Sequence, residues 1–168
     1  MTINELKLFT KPIENLVSCN LSSQISEESA LSLSLILASS DPWLTLNISA
    51  KSLENYFIKK DYGLHRYLVL VEDKIAGTIC IRFPWLRGPY IELLGLDSKY
   101  RGFGIGKQLL EWVEKEARRE SKNLWVVSSS FNHKAIQFYE KQGFSKIGVI
   151  QGLIKPNYDE MLLRKSWD

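Results

Sequence analysis

Long apolar runs, paired cysteines and clustered histidines are scarce in this 168-residue chain, and each shortage removes a class of protein. Its two cysteines, Cys19 and Cys80, are too few and too isolated for a disulfide framework or a CxxC metal site. Cys80 lies in an apolar run and reads as a small buried hydrophobe. The two histidines, His65 before a strand and His133 in a first helical turn, read as exposed, and their spacing suits no metal. The longest apolar-leaning run, Ala30–Ala38, is broken by serines and is far too short to span a bilayer. No basic segment followed by an apolar stretch opens the chain, so no signal peptide is expected. A reducing cytoplasm is the expected compartment, with no membrane partner. A net charge of only +3 favours an anionic ligand but falls short of a nucleic-acid-binding signature.

Repeats and low-complexity linkers are also missing, so residues 1–168 are expected to form one domain. With 45% hydrophobic and 24% charged residues, that domain has an ordinary globular composition and enough length to bury a core. Glu5–Phe9 can start a strand. The spacing predicts a helix over Glu27–Ala38 with Ser26 as N-cap, and a second over Ala50–Lys60 with Leu53, Tyr56 and Phe57 on one face. Arg66–Val71 and Lys74–Phe83 flank a tight Glu72-Asp73 turn and read as a hairpin. Pro84–Gly88 reads as a loop and Pro89–Leu96 as the next strand. Lys107–Arg119 reads as a helix burying Leu109, Leu110, Val113 and Ala117. A short strand, Asn123–Val127, precedes a helix from Asn132 to about Gln142, with Gly143 as its C′ residue. Strands Lys146–Ile154 and Tyr158–Arg164 close the chain. Hairpins first and strand–helix pairs later make this an α+β fold with a mixed sheet.

Against this background one stretch is unusual. Tyr100-Arg-Gly-Phe-Gly-Ile-Gly106 carries Gly102, Gly104 and Gly106 between a strand and a helix. Glycine admits tight turns and close backbone approach, and the first N–H groups of a helix lack intrahelical partners. Together they make a diphosphate-sized anion site. The spacing is wrong for the dinucleotide fingerprint GxGxxG, since the third glycine comes one residue early. No Walker lysine followed by Ser or Thr is present either.

The segment Arg101-Gly102-Phe103-Gly104-Ile105-Gly106 resembles the R/Q-x-x-G-x-G/A motif of the GCN5-related N-acetyltransferases. Asn132-x-x-Ala135-x-x-Phe138-Tyr139-x-x-x-Gly143-Phe144 resembles that family's second signature, in the right order and at the usual distance. The resemblance covers roughly Arg66 to Arg164. It implies a central mixed sheet of about seven strands, helices on both faces, and a splay between the fourth and fifth strands. It divides the domain into acceptor-side helices (1–65) and an acetyl-CoA-binding core (66–168). Acetyl-CoA is the co-substrate it implies. Backbone N–H groups of Arg101–Lys107 would hold the pyrophosphate, and Leu94 and Leu96 would pair with the pantetheine amides as an added strand. Gly95 is a candidate bulge residue for opening the gap. Asn132 would cap its helix and face the pantetheine arm, alongside Ala135 and Phe138.

The resemblance also suggests roles in the chemistry. Tyr139 shares an inward helix face with Ala135 and Ile136, and the family places a tyrosine here to protonate the leaving thiolate. A core tyrosine satisfied by backbone is the structural alternative. For the base, Glu92 is the candidate, on the face of Leu94 and Leu96 if no bulge intervenes; a solvent-facing glutamate is the alternative. The glutamate that several acetyltransferases carry on the fifth strand is absent from Trp125-Val-Val-Ser128. Glu160 on the last strand is a second acidic candidate near where family substrates enter. Trp43 can line an acceptor slot or pin its loop to the core, and Trp85 and Arg87 can add a rim. The implied activity is transfer of acetyl to a primary amine, of a small molecule or a peptide N-terminus, in a ternary complex. A non-catalytic acyl-CoA sensor is the alternative. The basic side chains Lys115, Arg118 and Arg119 are interleaved with glutamates and read as a solvated face rather than a nucleic-acid surface. The chain is expected to act as a monomer or homodimer.

Overall fold

The computed structural model describes Leu8, Phe9 and residues 15–168. Its elements are β1 (Asn20–Ser22), α1 (Glu27–Ala38), α2 (Ala50–Ile58), β2 (Leu64–Val71), β3 (Lys74–Trp85), β4 (Gly88–Leu96), α3 (Ile105–Ala117), β5 (Asn123–Ser129), α4 (His133–Lys141), β6 (Ser145–Lys155) and β7 (Tyr158–Ser166), with a 3-10 turn at Ser98–Tyr100. The first expected strand, Glu5–Phe9, lies mostly outside the described residues; Leu8 and Phe9 themselves form a turn. β1 is only three residues long, with Leu21 buried between Asn20 and Ser22, and it is held by pairing with β2.

Local chemistry explains the boundaries. Ser26 and Ser49 cap α1 and α2 by accepting from the N–H groups of Ser29 and Ser52, and Asn132 caps α4 through Ala135. Glu72 and Asp73 both have positive φ (49° and 61°), which matches the right-handed twist of the β2–β3 hairpin. Pro84 and Trp85 belong to β3, so the expected Pro84–Gly88 loop shrinks to a turn at Leu86 and Arg87. Gly143 has φ 90°, the left-handed conformation that ends α4.

The seven strands form one sheet in the order β1-β2-β3-β4-β5-β7-β6. All neighbours run antiparallel except β4 and β5, which are parallel. α3 and α4 cover one face, where Leu109, Leu110, Val113, Ile136 and Tyr139 meet Val69, Ile79, Ile81, Ile91, Leu124 and Val126. α1 and α2 cover part of the other, with Leu33, Leu37, Leu53 and Phe57 on Leu64, Leu68 and Cys80. His65 is half-buried inside β2 against Phe9, where the sequence suggested exposure ahead of the strand. Among the described residues no helix is long and apolar enough to cross a membrane.

The parallel pair is short. β4 and β5 pair only at Tyr90↔Trp125 and Ile91↔Val126. Beyond that point β4 stays with β3 to Leu96, while β5 stays with β7 to Ser129. The two strands part, leaving facing backbone edges.

Gly77 on β3 lets β4 lean onto its neighbour here. A Cβ at Gly77 would stand 2.1 Å from the Gly95 carbonyl oxygen and 2.9 Å from the Leu96 Cα. Both are backbone atoms, so Gly77→Ala must push β4 aside. The expected cost is about 1–3 kcal/mol, read as a lower urea midpoint at unchanged m-value.

Candidate active site

A cavity of about 930 Å³ opens where the strands part. It is lined by Leu94, Gly95 and Leu96 of β4, by Arg101, Gly102, Gly104, Ile105, Gly106 and Lys107, and by Asn132, Ala135, Phe138 and Tyr139 of the α4 region. The cofactor-binding residues expected from the sequence thus converge on one space, apart from Phe103. Its side chain is 71% exposed and does not line the cavity, because the loop flanked by two positive-φ glycines carries it outward.

The glycine loop has the tight, left-handed turns that its composition implies. Gly102 and Gly104 have φ 83° and 79°, and a Cβ on either would meet nothing within 4 Å. Their identity is therefore required by conformation, where a side chain would be strained. At Gly106 packing is close, since a Cβ would lie 3.1 Å from Cζ of Phe138 and the ring would have to give by a few tenths of an ångström. The cap residue of α3 is Gly104, with no side-chain cap, whereas α1, α2 and α4 each have one. The first N–H groups of α3 thus have no side-chain cap, and Arg101, Lys107, His133 and Lys134 stand around the same cavity. Arg101 also braces the loop, donating from Nε to the Leu96 carbonyl at 2.9 Å.

Gly95 is not a bulge residue; it pairs in register with Thr78. Its lack of a side chain serves close packing, because a Cβ would meet Leu37 at 2.5 Å and Trp43 at 2.8 Å. Trp43 therefore both pins its loop to the core and lines the cavity. The bulge lies earlier, where Cys80 pairs with Leu93 and Ile81 with Ile91, leaving Glu92 as the extra residue. It turns Glu92 to the α1/α2 face, beside Tyr56 and Cys80, and away from the face of Leu94 and Leu96. Both Glu92 oxygens are engaged by Arg82: Nε donates to Oε2, and Nη2 to Oε1 at 3.2 Å. Asp61 shares the same guanidinium through Nη2 at 3.1 Å. The sequence pattern carries no sign of this three-residue cluster, because Asp61, Arg82 and Glu92 come from different elements.

Tyr139 is buried between Phe138 and Phe144 and reaches the cavity. Burial, and then the neighbouring Tyr90, hold its phenol above the ordinary range, so it stays protonated. Trp85 lies outside the cavity, stacked on Tyr90 at 4.7 Å and edge-on to Trp125 at 5.6 Å. Glu160 is on β7, only 2% exposed, accepting from the Ser129 hydroxyl. Cys19 and Cys80 are buried free thiols, and burial pushes Cys80 up to about 11. A second, more open concavity of about 1200 Å³ lies at the other end of β4 and β5, near Gly88 and Asn123. Two of the arginines around it are already engaged, Arg118 with Glu114 and Arg119 with Glu116. Among the described residues no group of three or more His, Cys, Asp or Glu could hold a metal ion.

Comparison with known proteins bears on the same region. The model of the acetyltransferase (GNAT) family matches residues 31–144. An N-alpha-acetyltransferase of Saccharolobus solfataricus is 25% identical over 119 residues, covering 63% of this chain and 71% of that protein. Several other curated relatives are spanned over only about half their length. An acetyltransferase structure from Thermus thermophilus superposes with a TM-score of 0.71 at 16% identity, covering 92% of this chain and all of that one. The Arabidopsis thaliana Naa50 structure, in complex with the bisubstrate analogue CoA-Ac-MVNAL, superposes at 0.65 with 22% identity, covering 90% and 100%. With a family match over most of its length and a sheet parted around a glycine-loop cavity, the chain is an acyltransferase belonging to the GNAT acetyltransferase family.

Proposed function

We propose that this protein transfers the acetyl group of acetyl-CoA to a primary amine, on a small molecule or a peptide N-terminus, by direct attack in a ternary complex. The observation that carries this reading is the convergence of an uncapped helix N-terminus, two left-handed glycines and an unpaired strand edge on one cavity. An anionic group fits the first two features, and an amide-bearing arm fits the third. Acetyl-CoA has both, and its thioester supplies an activated acyl carbon. Residues 1–168 act as one unit in this reading, the α1/α2 side presenting the acceptor.

Each residue then has a task. The N–H groups of Gly102–Lys107 hold the pyrophosphate, and Leu94–Leu96 offer backbone partners to the pantetheine arm. Asn132 fixes the start of α4 and so places Ala135, Phe138 and Tyr139 against that arm. Tyr139, protonated and beside the cavity, donates its proton to the departing sulfur. The buried, protonated thiols of Cys19 and Cys80 are unsuited to carry the acyl group, which supports direct transfer. Glu92 remains a charged neighbour of the acceptor face, held in place by Arg82.

A sensor that binds acyl-CoA without turnover is the second reading. The occupation of both Glu92 oxygens by Arg82 is what favours it.

Acetyl-CoA at millimolar concentration is expected to raise the melting temperature by mass action, about 2.7 kcal/mol of stabilisation at a hundred times Kd. No shift would sink both readings. Tyr139→Phe is expected to lower kcat by about 10²-fold or more while leaving the acetyl-CoA-induced shift intact; equal kcat would return Tyr139 to a packing role. Thiol release measured against a panel of small amines and N-terminal peptides is expected to single out at least one acceptor. Silence across the panel would leave the sensor.

A further inference from the structure

Glu160 stands out electrostatically. It is 2% exposed, yet among the described residues no cation is paired with it. Among the described residues its sole side-chain hydrogen-bond partner is Ser129, itself 2% exposed, whose Oγ lies 2.9 Å from Oε1 and 3.2 Å from Oε2. A carboxylate removed from water is costly unless it is paired, and one hydroxyl is a poor substitute for a cation. By contrast Asp61, Glu92, Glu114 and Glu116, all less buried, each have an arginine.

The position of this group is specific. Ser129 and Glu160 face each other across β5 and β7. Ser129 ends the part of β5 that has left β4, and the next residues, Ser130, Phe131 and Asn132, lead into the cavity wall. Ser130 adds another anomaly, a buried hydroxyl with no hydrogen-bond partner. The side chains facing Glu160 are few. Asp159 precedes it on β7, Ser129 lies on β5, Ile150 opposes it on β6, and Tyr90 on β4 senses both Glu160 and Glu92. The cation Arg82 also reaches Tyr90, but it is held by Glu92 and Asp61, and the charge acting on Glu160 itself is the acidic Asp159, which suits an arriving ammonium group.

Resting on the proposed acetyl transfer, we propose that Glu160, with Ser129 as its hydrogen-bonded relay, receives the proton that the acceptor ammonium gives up. The ammonium N–H passes a proton to Ser129 Oγ as the Ser129 proton moves to the Glu160 carboxylate. The freed nitrogen lone pair forms the C–N bond at the acetyl carbon, and the C–S bond breaks. The sulfur takes a proton from Tyr139, which is restored by the second proton leaving nitrogen. Glu160 then loses its proton to solvent, so that one ammonium and one thioester yield amide, thiol and one proton. Glu92, with both oxygens on Arg82, is left as an electrostatic neighbour.

Burial raises the Glu160 pKa, Ser129 lowers it, and Asp159 raises it further, with a net upward shift. The native state therefore holds a proton that the unfolded chain has released, so stability falls as pH rises from the ordinary glutamate range through the native pKa. Glu160→Gln is expected to remove that fall. With the best acceptor from the amine panel, E160Q is expected to lose about 10²-fold or more in kcat and the acid limb of the kcat/KM profile, with the acetyl-CoA melting shift unchanged. Ser129→Ala, which removes the relay and also the bond favouring the charged form of Glu160, is expected to lower kcat and to move the acid limb of the remaining activity to higher pH. E160Q turning over within twofold of wild type on an unchanged profile overturns the proposal. Should E160Q not fold, an acid limb unmoved in S129A overturns it instead. A missing acetyl-CoA shift in the wild type, or a silent panel, defeats the underlying acetyl-transfer reading and not this assignment alone.

Discussion

The parting of β4 from β5 after Ile91 and Val126 is the constraint on which the rest of the molecule depends. Backbone N–H and C=O groups inside a sheet are normally paired, so a gap between central strands needs support from both sides. β3 and β7 give that support by keeping their own ladders intact past the point of separation. The gap then presents two unpaired edges and an opening through the sheet. One side of that opening carries the glycine loop and Tyr139, and the other carries the acidic and aromatic side chains of the α1/α2 face.

Small residues keep the opening in place. Gly77 allows β4 to approach β3, and Gly95 allows Leu37 and Trp43 to press on β4 from the other face. Gly106 lets the first turn of α3 meet Phe138, coupling the two helices that line the cavity. A methyl group at any of these positions would crowd a neighbour that is itself part of the site. The glycines at 102 and 104 act differently, through left-handed backbone that leaves the start of α3 uncapped. Packing and conformation thus produce one result, a rigid gap beside a free helix terminus.

Electrostatics divides the acids near the gap into two kinds. Asp61 and Glu92 share Arg82, half-buried and charge-compensated. Glu160 is deeper and has only a hydroxyl. Tyr90 lies close enough to both for its phenol to be pushed up to about 12, mainly by burial and then by these charges. Two carboxylates in such different surroundings are suited to different work, one to shaping the field and the other to exchanging a proton.

Local chemistry along the chain determined a good deal: the caps at Ser26 and Asn132, the Glu72-Asp73 turn, the left-handed stop at Gly143, and the glycine run whose spacing suits neither the dinucleotide nor the Walker loop. These are short-range effects, set by residues a few positions apart. The tertiary structure decided the rest. The bulge that turns Glu92 away from Leu94 depends on its register with β3, and the pairing of Glu92 and Asp61 with Arg82 joins residues up to 31 positions apart. Gly95 serves close packing instead of bulging because of a helix and a tryptophan some fifty residues away in sequence. Burial of Glu160 beside Ser129 likewise arises only when β7 inserts between β5 and β6. Strand order and register are collective properties of the sheet, and they, not the local residue pattern, decide which charges end up paired.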